Sequence, residues 1–137
     1  MKRDLKGKIE KLGVGIVYLF GSKATGRASR LSDIDIGIVL KTPASESDPR
    51  TLYHIFYQLF SEVYPRSKLD VVFLQTAPLS LQYSAIKDGK ILFEEDPKLT
   101  ADYVNLVINQ YLDFKPVLDL FDQVSMERYA KTESSSK

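Results

Sequence analysis

Residues 19–37 read LFGSKATGRASRLSDIDIG. An apolar run meets the pair Gly21-Ser22, and after a spacer of ten residues Asp33 and Asp35 open a second apolar run. If each apolar run forms a strand, successive side chains point to opposite faces, so the two aspartates are predicted to share a face a few ångströms apart. Two like charges that close are unfavourable unless a cation lies between them or one carboxyl has a raised pKa.

The residue types around the two aspartates favour a hard divalent cation. Mg²⁺ is held by one or two carboxylates and completes its octahedron with water and substrate phosphates. Upstream, the backbone N–H groups and the Ser22 hydroxyl at a predicted helix start form a site for a phosphate. The spacer is basic, with Lys23 as the candidate phosphate contact beside Arg27 and Arg30. A phosphate site and a metal site on neighbouring segments indicate phosphoryl or nucleotidyl transfer.

Two other phosphate-binding motifs do not fit these residues. A Walker P-loop requires Lys and then Ser or Thr where Arg27-Ala28 stand. The glycines of a Rossmann fingerprint follow their strand, whereas Gly13 and Gly15 precede theirs. A solvated pair of aspartates at a strand start is the remaining alternative. Because Asp is disfavoured within strands, two at alternate positions favour the metal interpretation.

The hydrophobic pattern predicts an α/β fold, with a small mixed sheet of about four strands flanked by helices and a C-terminal helical extension. Strands are predicted over about residues 16–20, 34–41, 69–74 and 90–93. Helices are predicted over about residues 4–12, from 22, and over 52–63, 81–87, 99–114 and 117–129, the last beginning after Pro116. One domain is expected over 1–130, with its core over about 14–95, its C-terminal helices over about 99–129 and a disordered tail over 131–137. Gly37, beside the carboxylates, is expected to leave room for a ligand.

Composition excludes several classes of protein. The 137 residues include 19 basic and 18 acidic ones, so no broad basic face and no direct nucleic-acid binding are expected. The chain has no cysteine, which excludes disulfides and thiolate metal ligands and fits a reducing cytosol. Its N-terminal residues lack the apolar stretch of a signal peptide, and no apolar run approaches membrane-spanning length. We therefore expect a cytoplasmic protein without a membrane partner.

The pattern of Gly21-Ser22, spacer, Asp33-x-Asp35 resembles the signature of a known family. It is similar to that of the minimal nucleotidyltransferases (MNT) of the DNA polymerase beta-like superfamily, which carry a glycine–serine pair, a spacer near ten residues and Asp-x-Asp. The resemblance extends over about residues 14–95. It implies the nucleotidyltransferase fold.

The resemblance also implies a set of site residues, two Mg²⁺ ions and ATP as substrate. A third carboxylate usually lies on a later strand in this family, and Asp70 is the natural match. The implied catalytic and metal-binding residues are Asp33, Asp35 and Asp70, and the implied nucleotide-binding residues are Gly21, Ser22 and Lys23. Asp70 is expected to act as general base and to help hold the second metal ion. Lys23 stands where arginine is common in the family.

The short length and the C-terminal helical extension resemble the MNT partner of MNT/HEPN toxin–antitoxin pairs. This implies an antitoxin that moves AMP from ATP to a hydroxyl, on a tyrosine of a HEPN-family RNase toxin. The sequence leaves two alternatives open. One is nucleotidyl transfer to a small molecule such as an aminoglycoside, and the other is an antitoxin that acts by binding alone.

Overall fold

The computed structural model describes residues 3–21, 34–41 and 48–135, and it confirms the α/β class. The strands are β1 (Val14–Phe20), β2 (Ile34–Leu40), β3 (Leu69–Phe73) and β4 (Lys90–Glu94). The helices are α1 (Arg3–Lys11), α2 (Pro49–Phe60), α3 (Leu79–Asp88) and α4 (Pro97–Ser135). The helix predicted to begin at Ser22 lies outside the described residues.

The four strands form one mixed sheet in the order β3-β2-β1-β4. Strand β1 is antiparallel to both β2 and β4, and β2 is parallel to β3. Because β1 runs opposite to β2 and β3, its C-terminal end lies at the same end of the sheet as their N-terminal ends. This end of the sheet therefore collects Gly21, which follows β1, and the first residues of β2 and β3.

Helix α2 begins and ends earlier than the apolar repeat predicted. Asp48 caps its N-terminus, with the side-chain Oδ1 accepting a hydrogen bond from the Arg50 N–H at 3.2 Å, and Pro49 occupies the first helical position. The helix ends at Phe60, and Val63, predicted as its last apolar position, is largely exposed. The cap and the proline decide the start of the helix, and the apolar repeat shows only which face is buried.

Among the described elements, two helices pack on each face of the sheet. Alternate residues of β2 point to opposite faces, so its isoleucines belong to one core and Val39 to the other. The first core, under α1 and α2, includes Ile9, Ile34, Ile36, Ile38, Phe56 and Phe60. The second core, under α3 and α4, includes Tyr18, Phe20, Val39, Leu74, Ala85, Tyr103 and Val107.

Gly37 serves the second core and does not make room for a ligand. A Cβ placed on it would lie 2.8 Å from Cδ1 of Leu74 and 3.0 Å from Cε1 of Phe20. Those two core side chains fill the space that the missing side chain leaves. The expectation of an open approach at this glycine is therefore wrong.

Helix α4 is a single helix where the sequence predicted two. It runs through Pro116 and continues to Ser135, into the segment that was expected to be a disordered tail from residue 131. Proline removes one backbone donor, but the flanking residues can still form the helical hydrogen bonds on either side of it. The organisation as a single domain over residues 1–130 stays a prediction.

Candidate active site

Two of the three predicted carboxylates meet at one end of the sheet. Asp35 in β2 and Asp70 in β3 are register partners in the parallel pair, and both side chains are partly buried. Side chains at paired positions of neighbouring strands point to the same face, and neighbouring strands lie about 5 Å apart. The sheet therefore brings together two carboxylates that lie 35 positions apart in the sequence.

Gly21 lies directly against the first of these carboxylates. Its backbone has a φ of +86°, which favours glycine, and an added Cβ would overlap Oδ2 of Asp35 and lie 3.0 Å from its Cγ. The register pairs Phe20 with Asp35, so the turn at Gly21 follows immediately. The close approach gives a physical reason for the glycine that the sequence singled out.

Asp70 is held by two hydrogen bonds. The Tyr53 hydroxyl donates to its Oδ1 at 3.0 Å, and the Val71 N–H donates to the same oxygen at 2.9 Å. Burial, followed by the hydrogen bond to Asp70 and that group's charge, raises the pKa of the Tyr53 hydroxyl, so it remains a donor at neutral pH. Sequence reasoning missed Tyr53, because no spacing rule connects a tyrosine in α2 with a carboxylate in β3.

The remaining predicted site residues, Ser22, Lys23 and Asp33, lie outside the described residues. Across the described ranges, no group of three His, Cys, Asp or Glu side chains could hold a metal ion. Asp35 and Asp70 nevertheless have the chemistry that Mg²⁺ requires, since carboxylate oxygens are the hard ligands that this ion takes from proteins. In the sequence, Asp33 is the residue directly before the first residue of β2.

The architecture agrees with a family of known fold. The family described as polymerase beta, nucleotidyltransferase, matches residues 4–98. The chain belongs to this family. The match covers all four strands of this nucleotidyltransferase and includes Gly21, Asp35 and Asp70.

Solved structures of toxin–antitoxin complexes contain chains with the same fold. A chain of a toxin–antitoxin complex with AMP-PNP is 23% identical with a TM-score of 0.66, and the alignment covers 91% of this nucleotidyltransferase and 99% of that chain. A chain of the complex between tri-AMPylated Shewanella oneidensis HEPN toxin and MNT antitoxin is 23% identical with a TM-score of 0.61, and again 91% and 99% are covered. A MntA–HpeT variant with two aspartates replaced by glutamate gives 24% identity, a TM-score of 0.65 and coverage of 88% and 98%.

At these identities the likeness concerns the fold. The alignments cover 91% of this chain, and the uncovered part is shorter than helix α4. At least part of this helix therefore belongs to the shared fold. No curated protein matches the sequence. Within the part of the nucleotidyltransferase that the structure describes, no helix has the length and apolar character needed to cross a membrane.

Proposed function

We propose that this nucleotidyltransferase moves AMP from ATP to a tyrosine hydroxyl of a cognate HEPN-family toxin, in a Mg²⁺-dependent reaction, and so acts as an antitoxin. The observation that carries the proposal is the register pairing of Asp35 with Asp70 at the sheet end where Gly21 follows β1. Family membership supports nucleotidyl transfer as the type of reaction.

In the proposed site, two sets of groups bind different parts of the substrate. Asp33, Asp35 and Asp70 would hold Mg²⁺, which when bound supplies positive charge that offsets the charge developing on the phosphates. The backbone at Gly21 and the side chains of Ser22 and Lys23 would bind the outer phosphates. The tight approach of Gly21 to Asp35 supports a substrate phosphate and the carboxylates being close neighbours.

The proposed reaction is a displacement at the α-phosphorus of ATP, with one general base and one leaving group. The acceptor oxygen forms a bond to the α-phosphorus while the bond from that phosphorus to the bridging oxygen of the β-phosphate breaks. Pyrophosphate leaves, and the proton of the acceptor hydroxyl passes to Asp70, which is the proposed general base. The contribution of the other groups is to place the two reacting atoms in line and to stabilise charge.

The proposed acceptor comes from the structural relatives. One of the similar chains belongs to a complex whose HEPN toxin is tri-AMPylated, and another belongs to a complex with AMP-PNP. The near-complete coverage of both chains supports the same architecture, C-terminal helix included. A tyrosine as the modified residue is part of our proposal.

Intact-mass spectrometry of the toxin partner tests this proposal. The protein is mixed with ATP, Mg²⁺ and the product of its neighbouring gene as the candidate toxin, and we expect AMP-sized mass gains on that partner that require both ATP and Mg²⁺. Asp33→Asn/Asp35→Asn should abolish the gain. A stable complex without any mass gain would instead support neutralisation by binding alone. Transfer to an aminoglycoside with the toxin unmodified would favour a small-molecule acceptor.

A further inference from the structure

Tyr53 contacts the proposed general base in a way that leaves one carboxylate oxygen for chemistry. Its hydroxyl donates to Oδ1 of Asp70 at 3.0 Å, and the Val71 N–H donates to that same atom at 2.9 Å. Among the described residues, both of these hydrogen bonds to the Asp70 side chain therefore end on Oδ1. With that oxygen held by two donors, the direction in which Oδ2 points is fixed as well.

The tyrosine itself is held by packing. Its ring stacks on Tyr57, with centroids 5.9 Å apart and an interplanar angle of 26°, and packs against the first core. The hydroxyl of Tyr57 donates to the Arg66 carbonyl at 2.7 Å, in the short turn that leads into β3. Both tyrosine hydroxyls thus tie helix α2 to β3 or to the turn before it, and of these two bonds the one from Tyr53 ends on a carboxylate of the site.

We propose that Tyr53 is a positioning residue for Asp70. The Tyr53 hydroxyl holds Oδ1 of Asp70, so that Oδ2 faces the metal ion and the acceptor hydroxyl. This inference rests on the proposed function, in which Asp70 takes a proton and helps to hold a metal ion. A hydrogen-bond donor to a ligating carboxylate fixes the orientation of that carboxylate, and losing such a donor costs about 10- to 100-fold in metal affinity or activity.

The test compares Tyr53→Phe with Tyr57→Phe. Each variant removes one hydroxyl from the same helix and keeps the aromatic ring, but only Tyr53→Phe removes the bond to Asp70. We expect Tyr53→Phe to lower the kcat of AMP transfer to the toxin by about 10- to 100-fold with the KM for ATP little changed. We expect Tyr57→Phe to keep kcat within about two-fold of the wild type, since the bond to Asp70 remains.

Binding of Mn²⁺, followed by water-proton relaxation, gives a readout that does not depend on turnover. Tyr53→Phe should weaken Mn²⁺ binding in the presence of AMP-PNP by about 10-fold or more, and Tyr57→Phe should leave it unchanged. Equal losses in both variants would overturn the proposal, because they would show that α2 acts only by packing. Wild-type kcat and Mn²⁺ affinity in Tyr53→Phe would overturn it as well.

Asp70→Asn separates failure of this inference from failure of the proposed function. If Asp70→Asn transfers AMP at the wild-type rate, the assignment of Asp70 as base is wrong. If Asp70→Asn is inactive and Tyr53→Phe is fully active, only the positioning role fails. An AMP-sized mass gain on the antitoxin itself that is lost in Tyr53→Phe would make this tyrosine an acceptor and overturn the positioning role.

Discussion

Single residues at the end of the sheet decide how closely the backbone approaches the carboxylates. Gly21 has a φ of +86° and its Cα faces Asp35 with no room for a side chain. Gly13 has a similar φ of +81°, but an added Cβ there would meet nothing within 4 Å. The two glycines therefore separate backbone strain from crowding of the site.

We expect Gly21→Ala to lose stability and AMP transfer together. A left-handed conformation costs an alanine about 1–2 kcal/mol, and displacement of the Asp35 carboxylate by about 1 Å costs roughly 100-fold in rate. Urea unfolding and the toxin mass assay measure the two effects. Gly13→Ala is the matched control, with a similar loss of stability and a wild-type rate. If Gly13→Ala slows transfer as much as Gly21→Ala, crowding of Asp35 is not the cause.

The described structure brings together some of the residues that the sequence predicted for the site. The roles of Gly21, Asp35 and Asp70 were predicted from residue type, spacing and the resemblance to a family, and the register brings the two aspartates together. Tyr53 could not be predicted, because its contact with Asp70 depends on how α2 packs against β3. Gly37 was misinterpreted because the sequence does not show that Leu74 and Phe20 fill its space.

Helix α4 is the element for which local sequence was the poorest guide. Pro116 predicted a helix start, because proline suits the first turn, yet it lies inside a helix that runs from Pro97 to Ser135. Its side chain is exposed, so the ring meets solvent and not a packed neighbour. Without an N–H at this position, the carbonyl of Leu112 lacks its usual helical donor.

We expect Pro116→Ala to slow hydrogen exchange in this part of α4. Inside a helix, proline is about 3 kcal/mol less favourable than alanine, which corresponds to roughly a 100-fold change in a local opening constant. Amide exchange of residues 117–120, followed by mass spectrometry, measures the effect. Lys115→Ala is the control, since both residues are good helix formers and exchange should not change. Unchanged exchange in Pro116→Ala would indicate that the helix is interrupted at Pro116, as the sequence predicted.

The whole molecule is stabilised by two cores, and the second contains buried tyrosine hydroxyls. Tyr18 is 2% exposed, and its hydroxyl has no hydrogen-bond partner among the described residues. The Tyr103 hydroxyl, in contrast, donates to Oε1 of Gln82 at 2.8 Å. Burial, with a smaller effect of the Glu94 charge, raises the pKa of Tyr18 from 10.0 to about 12.

This shift predicts a loss of stability in alkali. Between pH 10 and 12 the unfolded chain loses the Tyr18 proton while the folded protein keeps it, so the stabilisation is complete below pH 10 and is lost as pH rises through 12. The free energy of unfolding that is lost in this way is roughly 2–3 kcal/mol. Urea unfolding of wild type and Tyr18→Phe at pH 9 and pH 11.5 should show a steeper fall for the wild type. Parallel falls in the two proteins would contradict a raised pKa at Tyr18.

Strand positions and fold class followed from the hydrophobic pattern, because each face of the sheet must be buried by alternate residues. The order β3-β2-β1-β4 and the pairing of Asp35 with Asp70 could not be predicted from local pattern, since they depend on contacts between distant segments. The family resemblance predicted Asp70 as the third carboxylate, and the register places it beside Asp35. Its catalytic role stays a prediction.

The most direct test of the carboxylate pair is the rate of the proposed AMP transfer to a HEPN-family toxin in Asp35→Asn, Asp70→Asn and the double variant. Asp102→Asn, which changes an exposed aspartate on α4, is the control. If the two groups act as one site, each single change should lower the rate by about 100- to 10,000-fold, and the double variant should be no slower than the slower single variant. The control should keep the wild-type rate. Wild-type transfer in either single variant, or losses that multiply in the double variant, would contradict a shared catalytic site at this end of the sheet.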